Sequence, residues 1–410
     1  MEKLPSSKII LIFLFAGLIP GLIFEQSDIF FGISIYNFFD LLGSIFLNSL
    51  KMIVVPLIMS SLICNISSFS STKDFSNLGI KTIIFYLFTS FVAISIGITI
   101  VNIIQPGILN GNAAADLIGL DVNSNIASIN NISNNYSLNN FLLNIFSGNI
   151  FTSIANGNML FIIFFSIIFG LAMRSPSGAS LTILKDFWNG MYNVFLKITK
   201  YILFFTPYGV FCLVAKASMN FDPESYIVLL NFFITVILAL FIHSFIFYPI
   251  VLYFFKINIF SHFKGMFPAL LMAFSSSSSV ATIPITSKCL TDNLNHKDDH
   301  VNFVIPLGAT INMDGTALFE CIAVIFIAQL YGLDLTLVDQ FLILSLALIT
   351  SVGVAGIPSA SFVAIIVILS TVGLPFEAVG IILGIDRILD MLRTSVNVLG
   401  DSCCVRVVTT

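Results

Sequence analysis

The sequence predicts an all-α polytopic membrane protein, and three observations carry that prediction. Of 410 residues, 57% are hydrophobic and Phe alone contributes 43; the mean hydropathy is +1.03. Only 9% are charged, against roughly 25% in an ordinary soluble domain, too few to cover a water-facing surface. The apolar stretches reach about 20 residues, the length of a bilayer-crossing helix, without the alternation of a porin strand. A cytosolic enzyme, a disordered chain and a secreted disulfide scaffold are excluded. A net charge of −4 without a basic run excludes nucleic acid as a partner.

Six apolar segments come first, near 9–24, 41–66, 79–105, 158–173, 199–217 and 226–255. The first follows Lys3 and Lys8 like a signal peptide, but it carries Pro20 and ends at Glu25 without a small-residue cleavage site, so it reads as a retained span. Lys73 and Lys81 follow the second segment, and no Lys or Arg occurs from Thr82 to Met173. Arg174, Lys185, Lys197 and Lys200 then cluster, and Lys256 and Lys264 follow the sixth segment. The positive-inside rule turns this into alternating spans with a cytoplasmic N-terminus in a plasma (inner) membrane. Lys51, inside the second segment, reads as a snorkelling side chain. Residues 121–140 include eight Asn and read as a polar outer loop, with chance sequons at Asn131 and Asn135. Cys64, Cys212, Cys289, Cys321, Cys403 and Cys404 lack metal-ligand spacing, and the adjacent last pair reads as packing.

The last third interrupts its apolar runs. AFSSSSSVATIP (273–284), PLGATINMDGTALFE (306–320) and SVGVAGIPSAS (351–361) fall where a membrane helix should be regular. Freed backbone groups have no partner in hydrocarbon, so these breaks belong around a polar cavity, as in transporter binding sites. The serine-rich and Gly/Pro-rich tips suggest two helical hairpins flanking one discontinuous helix.

In the final segment, Asp386, Asp390, Arg393, Asn397 and Asp401 recur at steps of 4, 3, 4 and 4, one face of a helix. Charges at bilayer depth turn toward protein or water and mark substrate or ion routes; a purely structural ion-pair stripe is the plainer alternative. Arg393 can grip a carboxylate with two hydrogen bonds, and Asp390 can hold an ammonium, so the pair suits an acidic amino acid. Asp314 and Asp401, near freed carbonyls, supply hard oxygens for a small cation. Exposed N–H groups at the serine-rich tip can meet a second carboxylate.

The motifs SSSSSVATIP, NMDGTALFE, GVAGIPSAS and DRILDMLRTSVNVLGD, in that order, resemble the dicarboxylate/amino-acid:cation symporters, which include archaeal aspartate and animal glutamate transporters. YLFTS (86–90) and LKMIVVPLIMSSL (50–62) extend the likeness along nearly the whole chain. The resemblance implies a homotrimer whose protomers have eight transmembrane helices, two re-entrant hairpins, inverted repeats and elevator transport. Residues 1–78 would hold scaffold helices one and two, 79–105 the third helix, and 106–225 an outer loop with scaffold helices four and five. Residues 226–410 would form the transport-domain core: helix six, a hairpin at about 258–295, helix seven, a gate hairpin at about 335–373, and helix eight.

By the same resemblance, Asp390 would bind the substrate amino group and Arg393 its side-chain carboxylate. Ser277, Ser278, Ser279, Thr394 and Asn397 would hold the main-chain carboxylate, with Thr316 and the backbone of Ile357 nearby. Sodium would bind at Asp401 with carbonyls of Gly308, Asn312 and Asn397. A second ion would sit at carbonyls of Thr310, Ser351, Val352 and Val354 beside Met313, and a third at Tyr86, Thr89, Ser90, Asn312 and Asp314. Glu320 stands where glutamate-transporting members carry a proton, although a buried, hydrogen-bonded packing residue is the plainer reading. The arginine such proteins carry at the serine tip or after the ammonium-binding aspartate is replaced here by Ser277 and Met391, and Ser359 and Ser361 stand where glycines are common.

The function expected is symport of L-glutamate and/or L-aspartate, driven by sodium with a proton as a further coupling ion and without a prosthetic group; potassium return stays open. The alternative is C4-dicarboxylate symport, against which an unneutralised Asp390 argues by repulsion. A channel would not need the Asp390/Arg393 pair. A hydrolase on the serine run lacks a base, since His243, His262, His296 and His300 lie outside the motifs.

Overall fold

The computed structural model describes residues 7–24, 28–30, 33–67, 73–115, 117, 148–155, 159–173, 179–219, 224–353, 361–375 and 379–409. Asn131, Asn135, Val354, Ile357 and Ser359 lie outside them, as does the side chain of Lys51.

The described chain is helical apart from two minimal antiparallel ribbons. Helices α1 (Ser7–Ile23), α2 (Ile35–Ser67) and α3 (Lys73–Ile104) follow the first three apolar segments. Strands β1 (Ile29–Phe30) and β2 (Ile33–Ser34) pair before α2, and β3 (Ile108–Leu109) pairs with β4 (Asn112–Ala113) after α3. Asn110 and Gly111 close the second ribbon with φ of 52° and 83°, the paired positive angles for which an Asn-Gly hairpin is suited. Helix α4 (Ile150–Ala155) precedes the fourth segment, which α5 (Met159–Ala172) covers.

The fifth segment differs from expectation. Residues 199–204 end a long helix, α6 (Ala179–Phe204), and the chain bends by 51° into α7 (Thr206–Ser218). Lys185, Lys197 and Lys200, three of the four clustered charges, therefore lie on one helix. The bend falls at Pro207, which opens a helix readily but cannot continue one.

The sixth segment runs as α8 (Ser225–Ile242), a single π turn (His243–Phe247) and α9 (Tyr248–Phe254). Pro249 explains the π turn: it has no N–H for the carbonyl one α-turn earlier, and Tyr248 N bonds His243 O instead, five residues back.

Next come α10 (Ile259–Ser276), α11 (Ser279–Lys288), α12 (Asp298–Ile311), α13 (Asp314–Leu330), α14 (Leu337–Gly353), α15 (Ser361–Val372) and α16 (Val379–Val408). The serine run forms the joint between α10 and α11: Ser277 turns left-handed (φ 50°, ψ 37°), and the Ser278 side chain caps α11 by accepting from Ala281 N. NMDG forms the expected break, with Asn312 and Met313 non-helical between α12 and α13.

Among the described residues, four stretches are long and apolar enough to cross a bilayer: Ile35–Cys64, Leu78–Ile104, Tyr226–Phe254 and the broken Asp298–Leu330; the bent α6–α7 pair makes a fifth. Helix α1 packs on α7, and α2 packs on α5, α6 and α7. Helices α3, α8, α10, α12 and α14 surround α13 and α16. All seventeen residues of α13 are buried, so the core lies around the NMDG break. The two groups of helices meet where α2 touches α14 and α15, and where α7 touches α16.

Candidate functional site

The face predicted on the last helix is real and points into the core: Asp386, Asp390, Arg393, Asn397 and Asp401 are all buried on α16. Arg393 is 1% exposed, with its guanidinium 3.8 Å above the centre of the Phe319 ring, a cation–π contact in a water-poor setting. Its Nη2 donates to Asp386 Oδ1 at 2.6 Å and to Asp390 Oδ1 at 3.0 Å. Its Nε and Nη1 have no hydrogen-bond partner among the described residues. Arg387 Nη1 approaches Asp390 Oδ2 at 3.6 Å from the other side.

This corrects one expectation. Asp390 is not an unneutralised carboxylate, because two arginines flank it. Part of the ion-pair alternative is thus present on the same face, together with donors left open for a ligand. A fork-on-fork grip uses two adjacent N–H groups, so a ligand carboxylate would draw Nη2 away from at least one aspartate.

Around the NMDG break several expected residues converge. Asn312 Nδ2 donates to Asp401 Oδ1 at 2.9 Å and to the Asn397 carbonyl at 3.3 Å. Asn397 Oδ1 accepts from Gly315 N at 2.8 Å, and its Nδ2 reaches Thr316 Oγ1 at 3.1 Å and Met313 Sδ at 3.3 Å. A Cβ on Gly308 would collide with Asp401 Oδ1 and the Tyr86 hydroxyl, and one on Gly400 with the Tyr248 hydroxyl and Asn312. Glycine at these two positions lets backbone and carboxylate come together as a small-cation site requires.

Asp314 is fully buried and accepts from both flanking helices. The Ser90 hydroxyl donates to Oδ1 at 2.5 Å. The Tyr248 hydroxyl donates to Oδ2 at 2.5 Å, and His243 Nε2 lies 3.2 Å from the same oxygen. Tyr86 donates to the Val304 carbonyl, and Thr89 to the Tyr86 carbonyl. His243 and Tyr248 were not found by reading motifs, and Arg387 was read only as part of one. The available signal for the first two was the Pro249 that forces the π turn.

Other expected residues are less closely joined. Ser277 is buried, its Oγ without a hydrogen-bond partner among the described residues, and Ser279 is also buried. Thr394 bonds back to the Asp390 carbonyl. Thr310 and Ser351 bond back to their own helices, at Leu307 O and Leu348 O, and Val352 lies in the last turn of α14. Glu320 is fully buried; Oε2 accepts from Thr350 Oγ1 on α14 at 3.2 Å, and Oε1 has no partner among the described residues. All six cysteines are free and buried, including Cys403 and Cys404.

A family model described as the sodium:dicarboxylate symporter family matches residues 7–410. A proton/sodium-glutamate symport protein of Geobacillus stearothermophilus is 36% identical over 402 residues, covering 98% of this chain and 93% of the relative. A proton/glutamate-aspartate symporter of Escherichia coli (strain K12) is 32% identical, covering 91% and 85%. Excitatory amino acid transporter 2 of Homo sapiens is 34% identical, covering 88% and 71%.

Proposed function

The chain belongs to the sodium:dicarboxylate symporter family, and from that premise we propose that it is a secondary active symporter of L-glutamate and/or L-aspartate. The observation carrying this reading is the buried Arg393, with two open donors, next to Asp390. Arg393 meets the side-chain carboxylate, Asp390 takes the ammonium, and Ser277, Ser278, Ser279, Thr316, Thr394 and Asn397, with the backbone of Ile357, receive the main-chain carboxylate. Release of Asp390 from Arg393 and its capture by the ammonium are one exchange, which favours a substrate bearing both charges over a plain dicarboxylate.

Sodium is the coupling cargo. Asp401 with carbonyls of Gly308, Asn312 and Asn397 forms one site, and Asp314 with Tyr86, Thr89, Ser90 and Asn312 another. Thr310, Met313, Ser351, Val352 and Val354 form a third that closes with the gate. Glu320, with one open oxygen against α14, carries the co-transported proton.

In this reading, α1, α2 and the helices from α4 to α7 form the scaffold of a homotrimer in the inner membrane, with a cytoplasmic N-terminus. The rest, four of the protomer's eight spans with the two re-entrant hairpins α10–α11 and α14–α15, slides as an elevator. Uptake into proteoliposomes with sodium, proton and potassium gradients imposed separately tests this. Labelled glutamate or aspartate should accumulate with inward sodium, and Glu320→Gln should remove only the proton-driven part. No accumulation under any gradient defeats the reading.

A further inference from the structure

A groove of about 690 Å³ runs between α8, the π turn, α10 and α16, apart from the substrate and sodium positions. Its rim is aromatic and uncovered: Phe260 is 77% exposed, and Phe241, Phe245 and Phe267 are each exposed by more than half. Along α10 the lining extends from Phe260 to Phe274, about 21 Å at 1.5 Å per residue, the reach of one long acyl chain rather than of a compact solute.

One end of the groove is cationic. Lys264 lines it, is exposed, and has no ion pair among the described residues. Lys256 stands at the adjoining turn between α9 and α10. No Asp or Glu occurs from Ser225 to Thr291, so no carboxylate on these helices opposes the two lysines. The same end carries Tyr253 and Phe254, 73% and 76% exposed, the aromatic girdle expected at headgroup level. A hydrocarbon trough with a basic mouth at the interface fits an anionic phospholipid.

The back wall of the groove is the substrate helix. Leu392, Ser395, Val396 and Leu399 face the groove, interleaved with Arg393, Thr394 and Asn397. The Ser395 hydroxyl donates to the Leu270 carbonyl, joining α16 to α10, the helix that the buried Ser277 follows as its C-cap. We propose that one acyl chain of an anionic phospholipid occupies this groove, with its headgroup on Lys264 and Lys256, and that its occupancy sets how tightly α10 rests against α16. Bound lipid thereby tunes substrate affinity without entering the substrate site.

The test uses the full-length protein in nanodiscs with photoactivatable phosphatidylglycerol or phosphatidylcholine carrying the reactive group in one acyl chain. Phosphatidylglycerol should label peptides of α8, α10 and α16 several-fold more than phosphatidylcholine. Lys256→Gln with Lys264→Gln should remove that preference, while the two Arg variants keep it. Leu271→Trp, which fills the trough, should remove labelling there and leave other helices labelled. Glutamate affinity in phosphatidylglycerol discs should differ severalfold from that in phosphatidylcholine discs, and the double Gln variant should erase the difference. Equal labelling by both lipids, labelling spread evenly over the exposed helices, or none in the groove because protein covers it, overturns the proposal. Labelling requires no transport, so it fails or succeeds separately from the symport reading.

Discussion

Arg393 directs a single nitrogen at two carboxylates and keeps Nε and Nη1 open. Removing it would leave Asp386 buried without its cation, and a bound acidic substrate without its counter-charge. Truncating one member of a buried, hydrogen-bonded charge pair costs about 2–5 kcal/mol, roughly 30-fold or more in affinity. Arg393→Ala should weaken glutamate and aspartate binding by that amount in equilibrium titrations; unchanged aspartate affinity would show the pose to be wrong. The residues of this face were legible because charge at bilayer depth is rare, and steps of three and four cannot be mistaken on a helix. Their present partnership was not legible. Which of Asp386, Asp390 and a ligand Arg393 meets depends on rotamers and on what is bound, and spacing carries neither.

At the scale of elements, the π turn has a specific effect. Five residues along an α-helix separate side chains by about 140°, whereas the wider π turn brings His243 and Tyr248 onto one oxygen of Asp314. Each hydrogen bond to a charged group contributes about 1.5–3 kcal/mol, so Tyr248→Phe or His243→Leu should release the Asp314 carboxylate from its set orientation. Half-maximal uptake should then require about tenfold more sodium, with the substrate constant at saturating sodium little changed. His243→Gln, which can still donate, should recover most of the loss. Equal sodium dependence in all three variants removes the positioning role. The serine joint and the NMDG break were legible, since small and polar residues stand out in an apolar run. His243 and Tyr248 were not, because they sit in a continuous apolar segment and only the inserted residue aligns them. The bend at Pro207 was missed for a similar reason: apolar composition runs straight through it.

At the scale of the molecule, two helix groups meet over a limited surface. One small buried cluster, Leu62, Ile162, Val363 and Val367, joins α2 and α5 to α15. If the second group slides past the first, this cluster must part in every cycle. Cysteines at Leu62 and Val363, bridged by mercuric ion, should arrest uptake while leaving sodium-dependent substrate binding intact, and thiol should restore uptake. Uptake continuing through complete bridging excludes sliding at this surface. The native cysteines are buried but free, so the unmodified chain treated with mercuric ion is the control for reaction at thiols other than the introduced pair.

The complete burial of α13 bears on how the protein is made. Its neighbours α14, α15 and α16 all follow it in sequence. During synthesis, therefore, a helix carrying Asp314 and Glu320 must wait before half of its walls exist. Asp314 can meet Ser90, His243 and Tyr248 as soon as it is made, but Glu320 waits for Thr350 on α14, and the helix that carries both waits for α16 to close against it. The last helix described thus completes the shelter of the polar centre as well as the centre itself. Chains interrupted before Val379 are expected to be trapped as substrates for quality control, whatever the quality of the fifteen described helices before it.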